Sequence, residues 1–199
     1  MDIDISFGNA TTDSVQARMT NNCGCLHFYG HVQQEYLTFD DGRGGIHWLG
    51  VDHLKDIIYN NVEGVGAHFK FVFVSACHSA LAGETFVNAG VPHVVCCQQE
   101  AQLMDSAALA FTRAFYLALA IGRTVKDYFE IGLQAVAVSM SISRPQEEMK
   151  SFVLLTVKGN HDGRVFYAET VSDWPKNAWN MSRQKRGQEE IFSEFLEAI

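Results

Sequence analysis

Two side chains suited to acyl transfer stand just beyond apolar, strand-forming runs. His31 follows Cys25-Leu26-His27-Phe28-Tyr29-Gly30, and Cys77 follows Phe69-Lys70-Phe71-Val72-Phe73-Val74-Ser75-Ala76. A free thiol has a reference pKa of about 8.5 and is mostly protonated at neutral pH, whereas the thiolate is the nucleophile. A nearby imidazole can take that proton and later hand it to a leaving amine. Backbone amides beside the nucleophile then hold the oxyanion, a contribution of roughly 3 kcal/mol per donor where measured. The amide of Cys77 and those of the Gly30–Val32 turn are the available donors. The ordinary alternatives are a cysteine packed after a core strand and a histidine satisfied at a strand end. The choice depends on how the two strands are arranged.

If they are parallel neighbours, they lie about 4.8 Å apart and end at the same edge, where reactive groups of parallel sheets gather. The rest of the chain fits such a sheet. Phe69–Ser75 is a near-continuous run of aromatic and β-branched residues, as expected for a central strand buried on both faces. Further strands are expected over Asp2–Phe7, His93–Cys97, Ser151–Val157 and Arg164–Ala168. Helices are expected from the Thr11–Asp13 cap to Asn21, over Val51–Tyr59 and Gly83–Asn88, from Asp105 to Gly122, and from the Thr124 cap to Met140. Strands alternating with helices predict an α/β fold whose mostly parallel central sheet is flanked by helices.

The chain has 199 residues, 47% of them hydrophobic and 19% charged, which fits one domain and excludes both disorder and a coiled coil. Its net charge of −8 argues against nucleic-acid binding, which draws its affinity from Lys and Arg on phosphates. No run approaches the ~20 apolar residues that span a bilayer, so no membrane partner is expected. Met1-Asp2-Ile3-Asp4 does not resemble a signal peptide, and the five cysteines are an odd number. Reduced thiols and a cytoplasmic location are therefore expected.

Other clusters carry less chemistry. Cys23, Cys25 and His27 alternate along one strand and would share a face, but no second ligand pair accompanies them, so no metal or other cofactor is expected. Cys96 and Cys97 point to opposite faces of a strand. His78 points away from its neighbour Cys77. Gly42-Arg43-Gly44-Gly45 lacks the Lys-Ser/Thr ending of a phosphate loop and reads as a hairpin connection. Arg183-Gln184-Lys185-Arg186 is a basic knot in a polar tail.

The segments His27-Phe28-Tyr29-Gly30-His31, Phe73-Val74-Ser75-Ala76-Cys77-His78-Ser79 and Ala89-Gly90-Val91-Pro92-His93-Val94-Val95 resemble the CHAT domain of the caspase-like cysteine peptidases. The likeness continues through Asp105, Phe115-Tyr116-Leu117-Ala118-Leu119 and Gly122, then Phe152–Leu155 with Gly159-Asn160-His161-Asp162. The interval from His31 to Cys77 is also close to the ~50 residues between the two catalytic residues of caspases. The resemblance covers Ile3 to Pro175. It implies a caspase-like three-layer sandwich over residues 1–175, beginning one strand and one helix late, and a polar tail or linker over 176–199. It further implies a His31–Cys77 dyad that cleaves peptide bonds, with Gly30, Val32 and Cys77 forming the oxyanion hole.

Val32 departs from the glycine usual in the family after the catalytic His, and a β-branched residue resists unusual dihedrals. Ser75 stands where metacaspases carry an Asp that reads a basic residue, and Asp105 where separase keeps such an acid. Both become substrate-binding candidates, and Asp105 would favour Arg by bidentate pairing. Asp105 can equally be a helix cap. The implied partners are a protein or peptide substrate and repeat or nucleotide-binding modules in the same parent chain. The alternative function is a catalytically inactive signalling or scaffold module that binds protein partners.

Overall fold

A computed structural model describes residues 6–21, 23–33, 35–60, 69–157 and 159–165. In chain order the elements are α1 (Thr12–Thr20), β1 (Cys25–Tyr29), β2 (Val32–Gln33), β3 (Tyr36–Asp40), β4 (Ile46–Gly50), α2 (Val51–Asn60), β5 (Phe71–Ser75), α3 (Ala80–Asn88), β6 (His93–Cys97), α4 (Asp105–Ala120), α5 (Val125–Val138), α6 (Pro145–Ser151) and β7 (Phe152–Thr156).

Every residue of β5 is buried, and the strand lies between β1 and β6 in a four-stranded sheet of order β1-β5-β6-β7. Both of its neighbours run parallel to it, and among the described residues only β7 of this sheet is antiparallel. Successive side chains of a strand point to opposite faces. Val72 and Val74 accordingly join one apolar core with Val15 and Met19 of α1, Leu54 and Ile58 of α2, and Phe86 of α3. Phe71 and Phe73 join a second core with Phe111 and Phe115 of α4 and with Val125, Tyr128 and Val136 of α5. Helices thus cover both faces of a mostly parallel sheet, as the alternation of elements predicts. Among the described residues no helix is long and apolar enough to cross a membrane.

A second, antiparallel sheet of order β2-β3-β4 grows out of the chain just after β1. Its inner face places Val32, Leu37, Phe39 and Leu49 in the first core, with the Phe39 ring 5.2 Å from that of Phe28. The turn of residues 42–45 joins β3 to β4, the hairpin role expected of it. Asp41 Oδ1 accepts the N–H groups of Arg43 and Gly45, and Gly42 and Gly44 take positive φ. The caps of α1 and α5 also form as read. Thr11 and Thr124 each accept the third helical N–H in a reciprocal capping box.

Some expectations change. Ser6 and Phe7 belong to no element, and the remainder of the strand expected over Asp2–Phe7 lies outside the described residues. Arg164 and Val165 are also in no strand, and 166–168 lie outside the description, as do the boundary at 175/176 and the tail with Arg183–Arg186. Helix α3 begins three residues before Gly83, at Ala80. The face shared by Cys23 and Cys25 does not form. Cys23 packs against the first core and Cys25 against the second, and Cys23 Sγ donates to the Cys25 carbonyl oxygen at 3.0 Å.

Candidate active site

The register of β1 on β5 pairs His27 with Phe73, Phe28 with Val74 and Tyr29 with Ser75. His31 and Cys77 each stand two residues beyond the last pair, so parallel neighbours deliver both to the same sheet edge. Gly30 sits between, its N–H 3.5 Å from the Ser75 carbonyl oxygen, extending the ladder by a long bond. A Cβ at Gly30 would lie 3.0 Å from the Phe28 ring, which explains a glycine there.

The main chain of His31 is gripped by Thr38 of β3. His31 N–H donates to Thr38 Oγ1 at 3.2 Å, and the His31 carbonyl accepts from Thr38 Oγ1 at 2.8 Å and from Thr38 N–H at 2.9 Å. His31 is exposed, while Val32 behind it is buried. Val32 pairs with Leu37, one step along from the bonded His31–Thr38 pair. Alternation in an antiparallel ladder therefore turns the Val32 N–H away from β3.

Cys77 is half-buried. Its sulfur accepts the N–H of Leu103 at 3.3 Å and its S–H faces the Leu103 carbonyl at 3.8 Å. The next residue, His78, has φ of 55°, the only positive φ outside glycine among the described residues. Its N–H reaches the Ala101 carbonyl at 3.3 Å, and its ring Nδ1 lies 2.5 Å from the Gln99 carbonyl oxygen. The ring thus fastens the turn after β5 to the segment after β6. Ser79 reinforces the junction. It makes no cap bond to α3; its hydroxyl donates to the Val74 carbonyl at 3.2 Å and accepts the Cys97 N–H at 2.8 Å.

The other thiols are placed differently. Burial pushes Cys25 and Cys97 up to about 12 and raises Cys96 as well, which keeps all three protonated. Cys96 and Cys97 are fully buried, with Cys96 in the first core as strand packing requires. His27 is equally unsuited to proton transfer at neutral pH. Its ring stacks 4.6 Å from Phe73, its Nδ1 lies 2.9 Å from the Tyr116 hydroxyl, and burial pushes its pKa down to about 3.

Ser75 is buried at the end of β5, on the face that carries Phe71 and Phe73. Asp105 is exposed and opens α4, whose amino end reaches the same edge because the connection from β6 is short. Asp105 is not the cap, however. Met104 holds that position without a side-chain bond, and the Met104 N–H donates to the buried Glu148 at 3.2 Å. Glu148, on α6, thereby satisfies the donor that the side chain of the third helical residue takes in a capping box, a position held here by Ala107. Sequence reading missed Glu148, Thr38 and the 98–104 segment. Only Thr38 had a signal, the period-two alternation of Tyr36-Leu37-Thr38-Phe39-Asp40. Among the described residues no three His, Cys, Asp or Glu side chains are grouped to hold a metal ion.

Neither the models of known protein families nor the curated proteins with which the chain was compared give a match.

Proposed function

We propose that this protein is a cysteine endopeptidase of the caspase-like class, with Cys77 as nucleophile and His31 as general base and then general acid. The observation that carries this reading is the parallel register of β1 on β5, which gives a thiol and an imidazole the same offset past neighbouring strand ends. Cys77 is partly accessible, while burial holds Cys25, Cys96 and Cys97 in the unreactive protonated form.

In this mechanism His31 takes the proton of Cys77, and the thiolate attacks the scissile carbonyl. The amides of Cys77 and Val32 hold the oxyanion, and Gly30 allows the turn to pass over Phe28. His31 then protonates the leaving amine, and water hydrolyses the thioester. Asp105 reads a basic residue before the scissile bond, and Ser75, two residues before the nucleophile, is the second substrate-binding candidate of this reading. Modules elsewhere in the parent chain and a cytoplasmic setting belong to the same reading.

A peptide probe bearing a thiol-reactive group tests it. Labelling of Cys77 that is lost in His31→Ala supports catalysis, and no labelling of Cys77 favours the partner-binding module.

A further inference from the structure

The small sheet has an inner face in the core and an outer face that is apolar yet exposed. Tyr36 and Trp48 are each 49% exposed and Ile46 65%, although alternate positions Leu37, Phe39 and Leu49 are buried. Cross-strand pairing sorts the outer face into rows. One row runs His31, Thr38, Trp48; the next holds Gln33, Tyr36 and Gly50; the last holds Asp40 and Ile46. Tyr36 leans over Gly50, where an added Cβ would be 3.6 Å from its ring. The row that carries His31 therefore continues directly into an aromatic surface.

We infer that this outer face binds the part of a polypeptide substrate that follows the scissile bond, with an apolar residue about three places beyond it seated on Trp48 and Tyr36. The inference rests on the peptidase reading and extends it. The direction follows from the chemistry. His31 delivers a proton to the leaving amine, so the chain attached to that amine leaves the site on the His31 side. The distance follows from strand spacing. Two steps of about 4.8 Å carry the surface from His31 across Thr38 to Trp48, and an extended peptide advances about 3.3 Å per residue. Three residues span that gap. Exposed aromatic groups on a rigid sheet suit this role because they offer large apolar area with little side-chain freedom to lose.

The test measures binding by the full chain carrying Cys77→Ala, which leaves peptides uncut. Fluorescein-labelled peptides with Arg before the scissile bond carry either Leu or Ser at the third residue after it. The Leu peptide should bind about tenfold more tightly, the equivalent of ~1.4 kcal/mol of apolar burial. Adding Trp48→Ser or Tyr36→Ser should remove most of that difference while the Ser peptide binds as before. Equal binding of the two peptides, a preference for Leu that survives both substitutions, or no peptide binding at all overturns the inference. Cleavage by the unmodified chain separates the two readings. Cleavage without the Leu preference leaves the peptidase assignment standing and removes the docking face. A Leu preference without cleavage keeps the face as a peptide-binding surface and removes the peptidase.

Discussion

The sulfur of Cys77 is seated against the Leu103 peptide, with the Leu103 N–H donating to it at 3.3 Å. The nucleophile candidate and the segment after β6 thus form one unit, tied a second time by the ring of His78 on the Gln99 carbonyl. His78→Gly keeps the positive φ without strain but deletes the ring bond. Alkylation of Cys77, located by peptide mass mapping, should then speed up by about threefold to tenfold, matching a hydrogen bond of roughly 0.7–1.4 kcal/mol. An unchanged rate would show that His78 does not hold the segment.

Acid should weaken the fold through His27. Its pKa is pushed down to about 3 in the folded chain by burial, against an ordinary 6.5. The unfolded chain therefore takes up the proton first. The neutral ring's contribution is complete above pH 6.5 and is lost as pH falls from there towards 3, at up to about 1.4 kcal/mol per pH unit. Denaturant titrations of the wild type and His27→Phe at pH 7, 5.5 and 4.5 check this. Below pH 6.5 the wild type should lose stability faster than the variant, and parallel losses would contradict the assignment.

Gly132→Ala should destabilise the protein although it replaces a helical glycine. Helix propensity alone favours Ala by about 1 kcal/mol. The new Cβ would however lie 2.7 Å from the Phe111 ring, which stacks 4.1 Å from Phe152 and meets Phe73 edge-on. Overpacking of this kind costs roughly 1–3 kcal/mol. A net loss of about 1 kcal/mol in thermal or denaturant unfolding is expected, and a gain would mean that Phe111 moves freely.

What the sequence made legible follows from burial. β5 was readable because burial on both faces demands unbroken apolar residues, and α1 and α5 because Thr11 and Thr124 cap them chemically. The β2-β3-β4 sheet escaped because β2 is only two residues long and Trp48 and Ile46 blur the alternation of β4. Helix α6 opens on Pro145 and carries the polar run Gln146-Glu147-Glu148, so no apolar periodicity marks it. The sheet edge shared by His31 and Cys77 could be anticipated because parallel pairing fixes which strand ends coincide. The contacts of Cys77 with Leu103 could not, since backbone donors leave no trace in side-chain identity.

Asp105 should set cleavage preference and contribute little to stability. It is exposed in the first turn of α4, where a negative charge is worth about 0.3–1 kcal/mol beside the helix amino end. Asp105→Ala should cut the preference for Arg or Lys before the scissile bond by about tenfold or more in a peptide-library cleavage profile. An unchanged profile would assign Asp105 to the helix end alone.

The most direct measurement is the labelling rate of Cys77 by an acyl-transfer peptide probe in the full chain, with iodoacetamide as a small-reagent control. Proton transfer by a positioned side chain is worth about 10²–10⁴-fold. His31→Ala should therefore slow the peptide probe at least about a hundredfold while the control reagent still reaches Cys77. Equal probe labelling in wild type and His31→Ala, or a full chain whose Cys77 the probe never labels, would contradict the pairing of the two residues.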